Sequence, residues 1–191
     1  MKSSLPAAYF DALYAADPDP WDFATSDYER GKYAATIDAL SHRRYASALE
    51  VGCSIGVLTE KLASWCDELL AVDASALALG HARARCAGLE HVMFGQRVLP
   101  AAWPAGAYDL IVLSEVLYYW DRADLERMAA LVGRDLVPGG EALLVHWTGE
   151  TDYPLSGDEA VDRFVAALPG LTVTRRRREP AYRLERLRRS R

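Results

Sequence analysis

Apolar residues in this chain fall into short continuous runs that alternate with longer segments in which they recur at helical spacing. This alternation predicts strands joined by helices, with helices covering both faces of one mostly parallel sheet. Helices are predicted within the body of the chain at residues 58–66, from the N-cap Ser75 to about residue 86, and at 122–135 and 157–168. The predicted strands are residues 46–51, 68–72, 91–94, 108–113, 141–147, 171–178 and 181–188.

Turn-forming residues separate these elements. Pro138, Gly139 and Gly140 are predicted to end the helix at residues 122–135 and to form the turn before the fifth strand. The short connection at Glu179 and Pro180 makes the last two strands an antiparallel pair. The predicted fold class is therefore α/β, a Rossmann-like three-layer α/β/α sandwich whose seven-stranded, mostly parallel sheet ends in an antiparallel hairpin.

About 45 residues precede this sheet, and they are rich in aromatic side chains. A helix is predicted at residues 6–15, then a proline-rich break at 17–21, and a second helix from Ser26 or Asp27 through residue 40. Aromatic residues at helical spacing usually indicate packing, although a proline-broken segment before a nucleotide site is equally typical of a lid. We expect a single domain overall, with residues 1–45 as an N-terminal helical lid segment and residues 46–191 as the ligand-binding domain.

Composition excludes several protein classes. Hydrophobic residues make up 51% and charged residues 26%, which is typical of an ordinary globular protein. No run approaches the roughly 18 apolar residues that span a bilayer, and residues 1–10 do not resemble a secretory signal, so we expect no membrane association. Cys53, Cys66 and Cys86 form no CxxC pair, so we expect neither disulfides nor a metal site, and a cytoplasmic location.

The net charge of −5 is unevenly distributed. Residues 175–191 contain nine Arg and two Glu, a charge of +7, so the rest of the chain carries −12. A basic segment can indicate nucleic-acid binding. Here the arginines alternate with apolar residues in the predicted hairpin, where positive charge prevents pairing between sheet edges. We therefore expect no nucleic-acid partner.

The turn after the first strand indicates a ligand site. Glu50, Gly52 and Gly56 lie where this strand leads into a helix. Gly52 permits a tight turn and a close approach of the ligand, and Gly56 is expected to keep the turn close to the following helix. The G-x-x-x-G spacing differs from the G-x-G-x-x-G of dinucleotide folds and suits a ligand without a pyrophosphate. A plain strand–turn–helix connection is the alternative.

An acidic residue ends the second strand. Asp73 lies 23 residues after Glu50, and a carboxylate at this position accepts hydrogen bonds from both hydroxyls of a ribose. The alternative role of Asp73 is as N-cap of the following helix, although Ser75 can supply that cap without Asp73.

Together these motifs resemble those of the class I S-adenosylmethionine-dependent methyltransferases, over about residues 46–190. Residues 108–112 resemble the fourth strand of that family, and residues 136–140 resemble the turn before its fifth. The resemblance implies S-adenosyl-L-methionine as cofactor and S-adenosyl-L-homocysteine as product, with the glycine turn binding the amino-acid part and the acid binding the ribose. The cofactor-binding residues implied in the turn and at the strand ends are Glu50, Gly52, Cys53, Gly56, Asp73, Ala74 and Ser114.

One departure from that family concerns adenine. The family usually has an acidic residue shortly after the third strand, but the stretch here is G-Q-R-V-L-P, and Val98 takes the acidic position. Backbone groups or Gln96 would then bind the adenine. One lost hydrogen bond costs only about 0.5–1.5 kcal/mol, so we expect binding to persist.

A narrower resemblance covers nearly the whole chain. The stretches D-P-D-P-W-D-F-A-T-S-D-Y-E-R-G-K-Y, S-E-V-L-Y-Y-W and Y-R-L-E-R-L resemble the NodS-type N-methyltransferases, which methylate the amine of a deacetylated chitooligosaccharide. The resemblance implies that residues 21–33 fold over the cofactor, with Trp21, Tyr28 and Arg30 as candidates for its methionine end. The residues that it places at the methyl-transfer face are Ser114, Glu115, Tyr118 and Tyr119.

Candidate catalytic groups follow the fourth and fifth strands. Glu115 is the first candidate for a base or substrate anchor, and His146 is the second because a histidine titrates near working pH. Tyr118 is a further catalytic candidate, while Tyr119 and Trp147 are candidate walls of a substrate pocket. The alternatives are a capping role for Glu115, a core role for His146 and simple packing for the aromatic residues.

The leading hypothesis is N-methylation of an amino sugar or another small amine-bearing metabolite. O-methylation of a small hydroxylated natural product remains open, because the same cofactor site serves both reactions. A nicotinamide-dependent oxidoreductase is less favoured because the third glycine is missing, and a non-catalytic cofactor-binding protein is a further alternative. The expected partner is a small-molecule substrate, and the sequence does not predict the oligomeric state.

Overall fold

The computed structural model describes residues 2–41 and 43–191. It contains seven strands, which are β1 Tyr45–Val51, β2 Cys66–Asp73, β3 Val92–Gln96, β4 Tyr108–Ser114, β5 Leu136–Trp147, β6 Leu171–Arg178 and β7 Tyr182–Arg189. The helices are α1 Ala7–Ala16, α2 Asp27–Asp38, α3 Val57–Ala63, α4 Ala76–Arg85, α5 Arg122–Asp135 and α6 Gly157–Ala166, with a 3₁₀ turn at Leu117–Tyr119.

The strands form one seven-stranded sheet in the order β3-β2-β1-β4-β5-β7-β6. β2 pairs in parallel with β1 and β3, and β4 pairs in parallel with β5. β7 is antiparallel to both β5 and β6. The predicted Rossmann-like fold with a mostly parallel sheet and a closing antiparallel hairpin is therefore confirmed.

Burial explains why the predicted elements form. The residues from Leu110 to Leu113 in β4 are all buried, as expected for a strand covered on both faces. The buried residues of α5 include Leu125, Met128 and Val132, whose spacing puts them on one helical face. β6 lies at the sheet edge, where its exposed arginines match the protective role expected of charge at an edge.

The prediction of a turn at residues 138–140, before the fifth strand, is wrong. β5 begins at Leu136, directly after α5, and runs through Pro138, Gly139 and Gly140. Its register with β4 shifts there, because Tyr108 pairs with Leu136 whereas Leu110 pairs with Glu141. Gly139 adopts a φ of 76°, a conformation open to glycine, so the extra residues form an irregularity inside the strand.

Other boundaries differ by a few residues. The helix predicted at residues 58–66 ends at Ala63, because Cys66 already pairs with Tyr45 in the parallel β1–β2 ladder. The third strand begins one residue later and ends two residues later than predicted. The N-terminal helices lie where predicted, and Ser26 is the N-cap of α2.

The chain divides into two compact units, Pro6–Val98 and Leu99–Arg191, the latter joined by residues 2–5. The division into a lid segment and a single larger domain stays a prediction. In the part of the chain that the structure describes, no helix is long and apolar enough to cross a membrane.

Candidate active site

The turn after β1 adopts the conformation that its glycines permit. Gly52 and Gly56 have φ values of 74° and 80°, and Ser54 between them has a φ of 51°. Such values are uncommon for residues with a Cβ, so Ser54 is held in a sparsely populated conformation. The amides of Gly52 and Cys53 both donate to the carbonyl of Val72, at 2.8 and 3.1 Å, which fixes the turn against β2.

Gly56 is the N-cap of α3 and also packs closely against α4. A Cβ on Gly56 would lie 3.0 Å from both Cα and Cβ of Ala82. Ala82 belongs to α4, so Gly56 allows the turn to pack closely against that helix. The glycine is required both by its φ and by this close approach.

Glu50 is a buried acid at the start of the turn. Its side chain is almost fully enclosed, and Oε2 has no hydrogen-bond partner among the residues that the structure describes. Burial raises the pKa of Glu50 from 4.5 to about 8, an effect that the Thr59 side chain opposes and the charge of Asp73 increases. A buried acceptor of this kind suits the cationic ammonium of an amino-acid ligand.

Asp73 at the end of β2 is held by two backbone amides. Ser54 N donates to its Oδ2 and Ser75 N donates to its Oδ1, each at 2.9 Å. Burial raises the pKa of Asp73, and these two amides oppose the rise. Each carboxylate oxygen can accept two hydrogen bonds, so the geometry is compatible with ribose hydroxyls as further donors.

The alternative N-cap role belongs to Ser75 instead. Its hydroxyl accepts a hydrogen bond from Ala78 N at 3.4 Å, at the start of α4. Asp73 therefore does not cap the helix, although it holds the amide of the residue that does.

The predicted adenine residues follow β3. Gln96 pairs with Asp73 in the β2–β3 ladder, and its side-chain amide donates to the carbonyl of Ala74 at 3.1 Å. The structure thus brings Asp73, Ala74 and Gln96 together. Val98 lies two residues beyond β3 and is 48% exposed, a large apolar side chain open to solvent.

Cys53 packs as a small apolar residue. Its side chain lies in a buried cluster with Ala71 and Leu79, with Phe94 against it. Burial raises the pKa of the Cys53 thiol well above its ordinary value, so the thiol is neutral. This matches a filler role, because reactive cysteines have lowered pKa values.

Helix α1 contacts the turn through two side chains that the sequence did not single out. The Tyr14 hydroxyl is hydrogen-bonded to the Ser54 hydroxyl. The Ser75 hydroxyl donates to Asp11 Oδ1 at 2.7 Å. Neither contact leaves a local signal, because the partners lie 40 and 64 residues apart in the sequence.

The three predicted methionine-end residues occupy different positions. Trp21 lies edge-on to Tyr14, with ring centroids 5.8 Å apart, and is therefore joined to the residue that reaches the turn. Tyr28 is 38% exposed, and Lys32 lies over its ring. Arg30 is exposed and makes local contacts with Asp27 and with the Thr25 carbonyl. Neither of these contacts connects Arg30 to the turn, and the roles of all three residues at the methionine end stay predictions.

The second group of site residues lies in the unit Leu99–Arg191. Glu115, the first residue after β4, has a φ of 57°. Its Oε2 accepts hydrogen bonds from the Tyr118 hydroxyl at 2.6 Å and from Trp147 N at 2.8 Å. Burial and the charge of Glu115 raise the pKa of Tyr118 well above its ordinary value, so the hydroxyl keeps the proton that it donates to Glu115, and a catalytic role of Tyr118 stays a prediction.

His146 is fully buried and faces the 3₁₀ turn. Its Nε2 accepts from Leu117 N at 3.1 Å and from Val116 N at 3.4 Å. Both donors are backbone amides, so Nε2 carries no proton in this arrangement. The geometry resembles that of a core histidine that fixes the 3₁₀ turn, and the role of His146 as a base stays a prediction.

Aromatic side chains surround Tyr118. Tyr119 lies edge-on to it, and Tyr153 stacks on it with centroids 5.2 Å apart. Tyr153 was not predicted, because it lies in a polar loop with no periodic pattern. Trp147 ends β5 with 37% of its surface exposed, and Ser114 ends β4, where it pairs with Val145.

Comparison with known proteins identifies the family. A family model described as nodulation protein S (NodS) matches residues 12–138. The chain belongs to the NodS family. Nodulation protein S of Rhizobium tropici is 37% identical over 130 residues, which cover 66% of this chain and 53% of that protein. The chain spans about half the length of the curated relatives that it matches.

Solved structures show the same fold. The N-methyltransferase NodS of Bradyrhizobium japonicum WM9, in complex with S-adenosyl-L-homocysteine, has a TM-score of 0.84 at 23% identity, and the match covers 97% of this chain and 99% of that one. A putative methyltransferase from Pseudomonas syringae is 38% identical with a TM-score of 0.74, covering 85% of this chain and 99% of that one. The predicted resemblance to NodS-type proteins and the predicted fold are confirmed.

Proposed function

We propose that this NodS-family protein is an S-adenosylmethionine-dependent methyltransferase. The observation that carries the proposal is the Asp73 carboxylate, which two backbone amides hold at the end of β2 beside a glycine turn of positive φ. A carboxylate so held is a suitable acceptor for both ribose hydroxyls. The family assignment and the SAH complex of the NodS neighbour support the same cofactor.

Other residues of the turn fit the remaining parts of that cofactor. The buried Glu50 Oε2 is an acceptor for the ammonium of the methionine part, and Gly56 leaves room that a Cβ would fill. Gln96, which lies against Ala74, is the candidate polar contact for adenine, and Val98 offers an apolar surface to its ring. The bound cofactor would supply an electrophilic methyl group on a sulfonium.

The proposed acceptor is the amine of an amino sugar or of another small metabolite. Glu115 is the group that we assign to this amine, as an anchor for its ammonium form or as the acceptor of its proton. Tyr118 and the amide of Trp147 orient the Glu115 carboxylate through their two hydrogen bonds. Support for nitrogen as the nucleophile comes from the NodS neighbour, which is described as an N-methyltransferase.

Calorimetric titration tests the cofactor assignment. Wild-type protein is titrated with S-adenosylmethionine and, separately, with a reduced nicotinamide dinucleotide. We expect micromolar binding of the first alone. Binding of the nicotinamide alone would assign the glycine turn to an oxidoreductase and refute the proposal.

Transfer of a labelled methyl group tests the acceptor. Deacetylated chitooligosaccharides are compared with their fully N-acetylated counterparts, which lack the free amine. Label in the deacetylated sugar alone supports N-methylation of an amino sugar. Equal label in both would place the methyl group on oxygen.

A further inference from the structure

Helix α1 contacts both residues that hold the Asp73 carboxylate. The amide of Ser54 donates to one carboxylate oxygen, and the hydroxyl of Ser54 is hydrogen-bonded to Tyr14. The amide of Ser75 donates to the other oxygen, and the hydroxyl of Ser75 donates to Asp11. Two parallel chains of hydrogen bonds therefore connect α1 to the two oxygens of one carboxylate.

The spacing of the two α1 residues explains how one helix makes both contacts. Asp11 and Tyr14 are three residues apart, so their side chains lie on the same face of the helix. Tyr14 is the buried residue of α1, only 5% exposed, and its ring also contacts Trp21. The helix is thus fixed by packing as well as by its polar contacts.

The side chain of each serine has a partner on α1 while its amide faces Asp73. Ser54 has a φ of 51°, a conformation that the surrounding structure must maintain. The Tyr14 hydroxyl holds the Ser54 side chain while the Ser54 amide faces Asp73. Ser75 is fully buried at the N-terminus of α4, and Asp11 accepts its hydroxyl proton.

We propose that α1 is a fixed part of the cofactor site, in which Asp11 and Tyr14 are positioning residues for the Asp73 carboxylate. This inference rests on the proposed function, because it assigns Asp73 to the ribose. Asp11 and Tyr14 act through Ser75 and Ser54, and they set the direction in which the carboxylate presents its remaining lone pairs. The contribution of α1 therefore depends on the presence of the Asp73 carboxylate.

A mutant cycle in two backgrounds tests this dependence. Tyr14→Phe removes one hydroxyl and keeps the ring, Asp11→Ala removes one carboxylate, and Tyr9→Phe on the same helix is the matched control. Each change is made in the wild-type chain and in Asp73→Ala. The affinity for S-adenosylhomocysteine is measured by calorimetry, and thermal unfolding of each ligand-free variant reports any general loss of stability.

We expect Tyr14→Phe and Asp11→Ala each to weaken binding about three- to ten-fold in the wild-type chain, the size of one net hydrogen bond. In the Asp73→Ala chain both changes should alter affinity less than two-fold, and Tyr9→Phe should have no effect in either. An equal loss in both backgrounds would mean general stabilisation, and no loss in the wild-type chain would mean no positioning; either result overturns the inference. Failure of the wild-type protein to bind S-adenosylhomocysteine would refute the proposed function instead.

Should Tyr14→Phe fail to fold, Asp11→Ala gives an independent test, because alanine suits a helix and Asp11 is only partly buried.

Discussion

Proton uptake and release at Glu50 should make cofactor binding depend on pH. Burial raises the pKa of this side chain from 4.5 to about 8, so at pH 7 only about one molecule in ten carries the charge. An ammonium placed against Glu50 favours the charged form and lowers the pKa. Binding at neutral pH is therefore expected to release a proton, and affinity should rise as the pH increases towards 8.

The stability of the ligand-free protein should change with pH in the opposite direction to the affinity. The folded protein holds the Glu50 proton more tightly than the unfolded chain does, so this group causes no loss of stability below about pH 4.5. Between pH 4.5 and about 8 the unfolded chain loses the proton first, and the free energy of unfolding falls. At about 1.4 kcal/mol per pKa unit, the loss at pH 8 is on the order of a few kcal/mol.

The perturbation that isolates this effect is Glu50→Gln, which keeps the shape and removes the titrating group. We expect wild-type affinity for S-adenosylmethionine to rise by up to about ten-fold per pH unit from pH 6 to 7.5, where the ligand ammonium stays charged. The variant should bind more weakly at pH 7.5, with an affinity that hardly varies with pH. Its free energy of unfolding without ligand should exceed that of the wild type above pH 7.

Calorimetry in buffers of different ionisation enthalpy counts the released protons, and urea unfolding across the same pH range measures stability. Glu68→Gln is the control, because Glu68 is an exposed glutamate on β2. A wild-type affinity that is independent of pH, with no proton release, would refute the contact between Glu50 and a cationic group. Equal pH profiles for wild type and Glu50→Gln would do the same.

Three further substitutions test other parts of the site. Asp73→Ala should weaken S-adenosylhomocysteine binding at least about 100-fold by calorimetry, because two hydrogen bonds to a charged group are lost at about 1.5–3 kcal/mol each. Unchanged affinity would exclude the ribose role. Gly56→Ala should lower the free energy of unfolding, measured in urea, by about 2 kcal/mol, because the positive φ and the contact with α4 both disfavour a Cβ. The control is Gly80→Ala on α4, where a Cβ would enter open space, and this change should be neutral or stabilising. Tyr118→Phe should lower kcat about ten-fold in the methyl-transfer assay and leave cofactor affinity unchanged, because its hydroxyl binds Glu115; full turnover would exclude a role in orienting that carboxylate.

Local patterns predicted the strands and the residues that follow them. An apolar run ending in Asp73 predicts both a buried strand and an acid at its carboxyl end, because the strand and the site residue share one segment. The glycines of the turn were predictable for the same reason, since φ values of 74° and 80° are local requirements. The cap Ser75 was recognisable from its place before a helix.

Contacts between distant segments were not predictable in the same way. The helical spacing of Tyr14 predicts a packing role, and no feature of the sequence predicts its hydrogen bond to Ser54. The continuation of β5 through Gly139 was missed because Pro and Gly usually end elements, whereas here the β4 partner strand continues the pairing beyond an irregularity. The apolar pattern of β5 also does not predict that His146 Nε2 accepts hydrogen bonds from two backbone amides.

Ser75 shows why these distant contacts matter for the chemistry of the site. Its hydroxyl caps α4 and donates to Asp11, while its amide donates to Asp73. Burial is the main cause of the raised pKa of Asp73, and the charge of Asp11 adds to it, as expected for two acids near each other. Ser75 gives each of these acids a donor, so that the two can lie close together without direct contact. Helix α1 therefore stabilises the site through Ser75 at an electrostatic cost, which is the like charge that Asp11 places near Asp73.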